Sequence, residues 1–117
     1  MPNEIFSRHE EYAIGPMDQI PPGEGRNFQV MGLAIAVFRS RADELFASQA
    51  NCPHREGPLA DGMLGGSTIM CPLHDRLYDL HTGKEIGGSC ALTIYPVRRD
   101  TDGTLFLTLP APYVPPE

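Results

Sequence analysis

Short runs of apolar, β-branched and aromatic residues alternate with turn-forming residues along the whole chain. Strands at this spacing are typical of an all-β antiparallel sandwich or small barrel. Glycine and proline contribute 12 residues each, and many of them fall between the runs, so several hairpins and no long helix are expected. The runs predict strands at 11–14, 27–31, 33–39, 45–50, 67–71, 77–80, 92–98 and 104–109.

The length of the chain fits one domain. A chain of 117 residues can bury a single stable core without disulfides or other cross-links, so we expect one domain over residues 1–117. Residues 110–117 carry four prolines. Because proline cannot donate to a sheet ladder, this proline-rich tail is expected to be extended and loosely packed, and we assign it no function.

Charge and hydropathy exclude several classes of partner. Fifteen acidic against nine basic residues give a formal charge of -6, which repels phosphate backbones and anionic lipid. The longest apolar run, residues 33–38, is far too short to span a membrane, and the first ten residues lack the basic and then apolar stretch of a secretory leader. We therefore expect a cytoplasmic protein that binds neither nucleic acid nor membrane.

Cysteine and histidine form the motif that carries chemistry. Cys52-Pro53-His54 is followed, after sixteen residues, by Cys71-Pro72-Leu73-His74. A thiolate and an imidazole two or three residues apart on a tight loop can converge on one point, and the prolines stiffen each loop. If the loops face each other, two sulfurs can bind one iron and two imidazoles another, although two of each also suit tetrahedral zinc.

The order of the four residues distinguishes the alternatives. Common zinc sites group their cysteines together and their histidines together, whereas this chain interleaves them, which favours an iron-sulfur cluster. If the four residues were unrelated core or surface groups, two Cys-Pro steps each followed by a histidine would be a coincidence. The chain has three cysteines, an odd number, and the third, Cys90, fits a small apolar packing role better than a disulfide.

The segment CPHREGPLADGMLGGSTIMCPLHDRLYDLHTG resembles the cluster-binding segment of Rieske ferredoxins, and weaker resemblance extends from about residue 14 to 109. It implies one 2Fe-2S cluster, with Cys52 and Cys71 on the buried iron and His54 and His74 on the outer, reducible iron. It also implies the Rieske fold, an antiparallel β-sandwich with a small cluster-binding subdomain over about residues 51–80.

The resemblance also bears on the redox potential. High-potential Rieske relatives carry an extra cysteine in each loop, which together form a disulfide, and a serine two places after the second histidine. The matching residues here are Gly57, Leu73 and Arg76, which implies a potential near the low end of the range, roughly -150 mV. Tyr78 matches a tyrosine that donates a hydrogen bond to a ligand sulfur.

Nearby residues are not expected to be ligands. His9 and His81 have no paired cysteine and are interpreted as surface or turn residues. Gly62, Gly65 and Gly66 lack the lysine of a phosphate loop and are expected to let the chain cross between the two cluster loops.

The chain contains no dinucleotide fingerprint and no second set of cysteines, so it is expected to carry single electrons without being a catalyst on its own. Its partners would be an electron-donating reductase and an electron-accepting oxidoreductase subunit. Residues 88–98 resemble the small subunit of NAD(P)H-dependent nitrite reductase, which implies a role in nitrate assimilation. The alternatives are the ferredoxin component of an aromatic-ring-hydroxylating dioxygenase and, in another class, a non-redox interaction domain.

Overall fold

The computed structural model describes residues 9–53, 57–73 and 76–110, and these ranges form ten strands and two short 3-10 helices. The 3-10 helices are η1 (Met17–Gln19) and η2 (Leu59–Asp61). The strands are β1 (His9–Pro16), β2 (Glu24–Val30), β3 (Leu33–Arg39), β4 (Leu45–Gln49), β5 (Met63–Gly65), β6 (Thr68–Met70), β7 (Leu77–Asp79), β8 (Ile94–Tyr95), β9 (Val97–Arg99) and β10 (Thr104–Pro110). Neither helix among the described residues has the length and apolar character needed to cross a bilayer.

The strands form three antiparallel sheets. Their strand orders are β1-β10-β9, β2-β3-β4-β8 and β5-β6-β7. β2 and β3 meet in a two-residue hairpin in which Met31 and Gly32 both have positive φ, as a primed turn requires. The predicted antiparallel all-β architecture is confirmed, and the small third sheet lies within the range expected for the subdomain.

The central part of strand β3, residues 35–38, is buried on both faces. Ile35 and Val37 point into one core, while Ala36 and Phe38, on the opposite face, point into the other. Burial on both faces explains why this part of the longest apolar run has no polar residue. The sheet core consists of Met17, Ile20, Ile35, Val37, Ala47, Leu105, Leu107 and Leu109. The loop core consists of Ala36, Phe38, Phe46, Cys52, Leu59, Ile69, Cys71, Tyr78, Leu80 and Leu92.

Two parts of the strand prediction were wrong. The single strand predicted at 92–98 is divided at Pro96 into β8 and β9, which belong to different sheets. Proline has no N–H for a ladder, although the Pro96 carbonyl accepts a bond from the Thr108 N–H at 2.9 Å. Strand β5 was not predicted. Gly65 ends β5, and Gly66 (φ 62°) turns the chain into β6, so these glycines form a hairpin.

We expect Gly83→Ala to destabilise the protein more than Gly87→Ala. Both glycines have φ near +83°, at 84° and 82°, so each alanine costs about 1 kcal/mol in backbone strain. A Cβ on Gly83 would also clash with the Leu92 carbonyl oxygen, whereas a Cβ on Gly87 would meet nothing within 4 Å. Thermal unfolding midpoints measured under identical conditions should give a total loss of ~3 kcal/mol for Gly83→Ala. Equal losses in the two variants would contradict the close packing of this turn.

Candidate metal centre

Cys52 and Cys71 begin two loops that enter the loop core from different sheets. Cys52 follows β4 of the four-stranded sheet, and Cys71 comes directly after β6, the central strand of the small sheet. Both side chains are fully buried in the same apolar core. Loops that follow strands of two different sheets therefore bring thiols into one core.

The two loops are closed by equivalent hydrogen bonds. The Cys52 N–H donates to the Gly57 carbonyl at 2.8 Å, and the Cys71 N–H donates to the Arg76 carbonyl at 2.8 Å. In each case the acceptor lies five residues after the cysteine. The predicted ligands His54 and His74 fall between donor and acceptor in the sequence, and both lie outside the described residues.

The loops approach each other at Gly57. A Cβ built on this buried residue would lie 2.9 Å from Cys71 Sγ and 3.0 Å from Leu73 Cγ. Any side chain at position 57 would force the two loops apart. Gly57 and Leu73, the residues that match the disulfide cysteines of high-potential relatives, are thus neighbours.

Tyr78 reaches from β7 into the same core. Its Oη atom lies 3.2 Å from Cys52 Sγ, and its ring is fully buried. Burial, and then the hydrogen bond with Cys52, raise the pKa of Tyr78 well above its ordinary value of 10.0. The phenol therefore keeps its proton at neutral pH and can donate it toward a thiolate at Cys52.

Exposed apolar side chains lie on the two loops and on the nearby β5 hairpin. Met63 is 72% exposed and Leu73 is 58% exposed, and Pro53 is also exposed. We call Pro53, Met63 and Leu73 the apolar rim. A groove beside the second loop is lined by Met63, Met70 and Pro72 and includes one residue of each charge, Arg41 and Asp61.

The spare histidines and cysteine have other surroundings. His81 is exposed, and its ring packs edge-on against Phe46 with 5.1 Å between centroids. His9 begins β1, in the three-stranded β1-β10-β9 sheet. Cys90 is half-buried and packs against the loop core, which fits the packing role expected for it.

Sequence reasoning missed an ion pair behind the second loop. Arg76 Nη1 lies 2.7 Å from Glu85 Oε2, and the Glu85 side chain is only 7% exposed. Burial raises the pKa of Glu85, but bonds from the Cys90 N–H and Arg76 outweigh it, so the pKa lies below its ordinary value. No short-range pattern indicates this pair, because its members are nine residues apart on segments that are not helical.

The described residues fit the sulfur half of a cluster site. Two buried thiols lie on loops that contact each other, and a phenol lies within hydrogen-bond distance of one of them. Cysteine sulfurs of this kind can bind the iron of a 2Fe-2S cluster, and the surrounding hydrogen bonds and burial tune its potential.

Comparison with solved structures gives the same fold. A Mycobacterium tuberculosis structure assigned as an NADH-dependent nitrite reductase small subunit superposes with a TM-score of 0.82 at 17% identity, covering 88% of this chain and 97% of that one. The ferredoxin of carbazole 1,9a-dioxygenase from Nocardioides aromaticivorans gives a TM-score of 0.75 at 27% identity, covering 83% and 95%.

Sequence comparison identifies the family. The ferredoxin component of the naphthalene 1,2-dioxygenase/salicylate 5-hydroxylase systems of a Ralstonia species is 34% identical over 84 residues, which are 70% of this chain and 80% of the relative. The family model for the Rieske [2Fe-2S] domain matches residues 10–96. Together with the antiparallel fold and the two buried cysteines, this match means that the chain belongs to the Rieske [2Fe-2S] domain family of electron-transfer proteins, with one 2Fe-2S cluster as its cofactor.

Proposed function

We propose that this chain is a single-domain, one-electron ferredoxin whose cluster is held by Cys52, His54, Cys71 and His74, and that it supplies electrons to an oxygenase. The observation that carries the proposal is the pair of equivalent closed loops, each headed by a buried cysteine and each including a histidine in sequence. A 2Fe-2S cluster bound there would accept and release one electron at a time.

The chain's own residues divide the work of holding this cofactor. Cys52 and Cys71 supply sulfur from inside the loop core, where water is excluded. His54 and His74 are each within three residues of one of these cysteines, so chain connectivity keeps them near the same point. Tyr78 would donate a hydrogen bond to a Cys52 thiolate, and Gly57 allows the loops to close on each other.

The oxygenase is favoured as electron acceptor by sequence. The Ralstonia relative, described as a ferredoxin component of dioxygenase systems, is 34% identical across 80% of its length. The Nocardioides ferredoxin of carbazole 1,9a-dioxygenase supports the same reading at 27% identity. In either system the chain would stand between an electron-donating reductase and an acceptor, and would not catalyse the overall reaction alone.

A nitrite reductase is the second candidate acceptor. It is supported by residues 88–98, which resemble nitrite reductase small subunits and include Cys90 before the Tyr95-Pro96-Val97 segment. The mycobacterial likeness at 17% identity bears on fold and not on the choice of partner. We therefore rank nitrite reduction below oxygenase reduction.

Alanine at either proposed histidine ligand should abolish the normal cluster. Wild-type protein, isolated without air, is expected to contain two irons and two sulfides per chain and, when reduced, to give the electron paramagnetic resonance signal of a nitrogen-ligated cluster. His54→Ala and His74→Ala should lose both features because one iron would lack a ligand. The measurements are iron and sulfide analysis and the resonance spectrum.

The controls for the ligand assignment are His81→Ala and Cys90→Ser. Both should keep nearly normal cluster content, since His81 packs on Phe46 and Cys90 on the loop core. Stoichiometric zinc without sulfide in the wild type would contradict the cluster proposal. Cluster loss in Cys90→Ser as severe as in Cys71→Ser would contradict the ligand set.

Electron transfer should occur through the apolar rim. The reduced protein is expected to be reoxidised faster by an aromatic-ring dioxygenase oxygenase component than by a sirohaem nitrite reductase. Leu73→Ala should slow the favoured reaction about tenfold, because a small exposed apolar anchor can dominate a transient interface. Stopped-flow absorbance would follow the reaction.

A matched control for this docking prediction lies on the turn between β9 and β10. Asp100→Asn and Asp102→Asn change charge on the β1-β10-β9 sheet and should leave the rate nearly unchanged at moderate salt. If these changes slowed transfer more than Leu73→Ala, the docking face would be wrong. Faster oxidation by the sirohaem enzyme would reverse the ranking of acceptors.

The midpoint potential should lie near -150 mV, the low end of the Rieske range. Gly57 and Leu73 cannot form the loop disulfide, and Arg76 stands where high-potential relatives have a serine donor. Tyr78→Phe should lower the potential further, because the lost hydrogen bond stabilised the more negative reduced state. A bond of about 1 kcal/mol corresponds to ~40 mV for one electron. Redox titration would check both values, and a wild-type midpoint above about +100 mV would contradict this assignment.

A further inference from the structure

The residue that closes the second cluster loop is held from behind by a buried carboxylate. The Arg76 carbonyl accepts the Cys71 N–H, so the position of Arg76 sets the end of the loop that contains Cys71 and His74. The Arg76 guanidinium, 31% exposed, donates to Glu85 Oε2 at 2.7 Å. One residue therefore links the loop backbone to an ion pair.

Glu85 is itself fixed on several sides. Its second oxygen, Oε1, accepts the Cys90 N–H at 3.1 Å, and its own N–H donates to the Cys90 carbonyl at 2.9 Å. It also forms a β-bridge with Tyr78, the residue whose hydroxyl lies beside Cys52. A Cβ on Gly88 would clash with the Glu85 carboxylate, so the glycine leaves space for that group.

The acidic partner of this pair is far less exposed than those of three other ion pairs among the described residues. Glu11, Glu24 and Asp43, each paired with an arginine, are 41%, 54% and 50% exposed, and such surface pairs contribute little. The Glu85 side chain is only 7% exposed. Removing Arg76 would leave the Glu85 carboxylate poorly solvated, and removing Glu85 would leave Arg76 without its anchor. Breaking the pair is therefore expected to loosen the end of the loop at Arg76.

We propose that Glu85 is a positioning residue for the cluster: through Arg76 it fixes the hydrogen bond between the Cys71 N–H and the Arg76 carbonyl, and its charge balances the Arg76 guanidinium, two residues after the proposed ligand His74. This inference rests on the proposed ligand set, because His74 lies within the loop that this hydrogen bond closes. It assigns a redox-tuning role to a residue that binds no metal itself.

The Glu85→Gln variant tests the charge. Glutamine can still accept the Cys90 N–H but no longer neutralises Arg76, and the unbalanced positive charge should stabilise the added electron. We expect the one-electron equilibrium constant for reduction to rise about threefold, which is ~28 mV at ~59 mV per factor of ten. Redox titration of the cluster-loaded full chain measures this shift.

Glu11→Gln is the matched control. Glu11 also pairs with an arginine, with two bonds to Arg98 of 2.7 and 2.8 Å, but it lies on β1 in the β1-β10-β9 sheet. The Glu11→Gln substitution removes one negative charge, as Glu85→Gln does, so an effect of net charge alone would appear equally in both variants. The control should leave the midpoint potential near that of the wild type.

The Glu85→Ala variant tests the positioning. It removes both side-chain bonds, and we expect loss of the cluster to an iron chelator to be about tenfold faster than in the wild type, with Glu85→Gln restoring most of the retention. If Glu85→Ala does not fold, the potential of Glu85→Gln decides the matter. A wild type without a cluster would contradict the proposed function. A loaded wild type matched in potential and retention by both Glu85 variants would contradict this inference alone.

Discussion

Burial of two cysteines, on loops that leave two different sheets, in one apolar core is the constraint on which the site depends. Cys52 leaves the four-stranded sheet and Cys71 leaves the small sheet, and each heads a loop closed by its own N–H. For both thiols to lie in the loop core, the loops must touch, and a glycine at position 57 allows this. The second loop follows β6, the central strand of the small sheet, so this sheet places Cys71 in the loop core.

Strand β3 lies between the two cores, with the candidate site in only one of them. Ile35 and Val37 pack with β10 in the sheet core, while Ala36 and Phe38 pack in the loop core with the cysteines. Strands β3 and β4, which contribute residues to both cores, connect the sheet core to the site. The arrangement lets the loops be shaped for cofactor and partner while the sheets supply stability.

Strands with strong local patterns were predictable. β3 matches its predicted bounds, and β1, β2, β4, β6, β7 and β10 lie on predicted runs, because alternation and β-branched residues reflect burial that is local to each strand. The prediction was wrong at Pro96, where one apolar run serves two sheets, and at β5, whose three residues stand in a glycine-rich stretch. In both places pairing with distant strands decided the structure.

The sequence by itself provided the proposed donor set, since the types and spacing of Cys52, His54, Cys71 and His74 mark a candidate cluster site without any structure. It also determined the family, because those residues lie in one continuous motif. The surroundings of the donors were decided only by the tertiary structure. The contacts of Tyr78 with Cys52 and of Arg76 with Glu85 join separate segments, 26 and nine residues apart. Such contacts depend on how sheets and loops pack, which no local pattern of residues encodes.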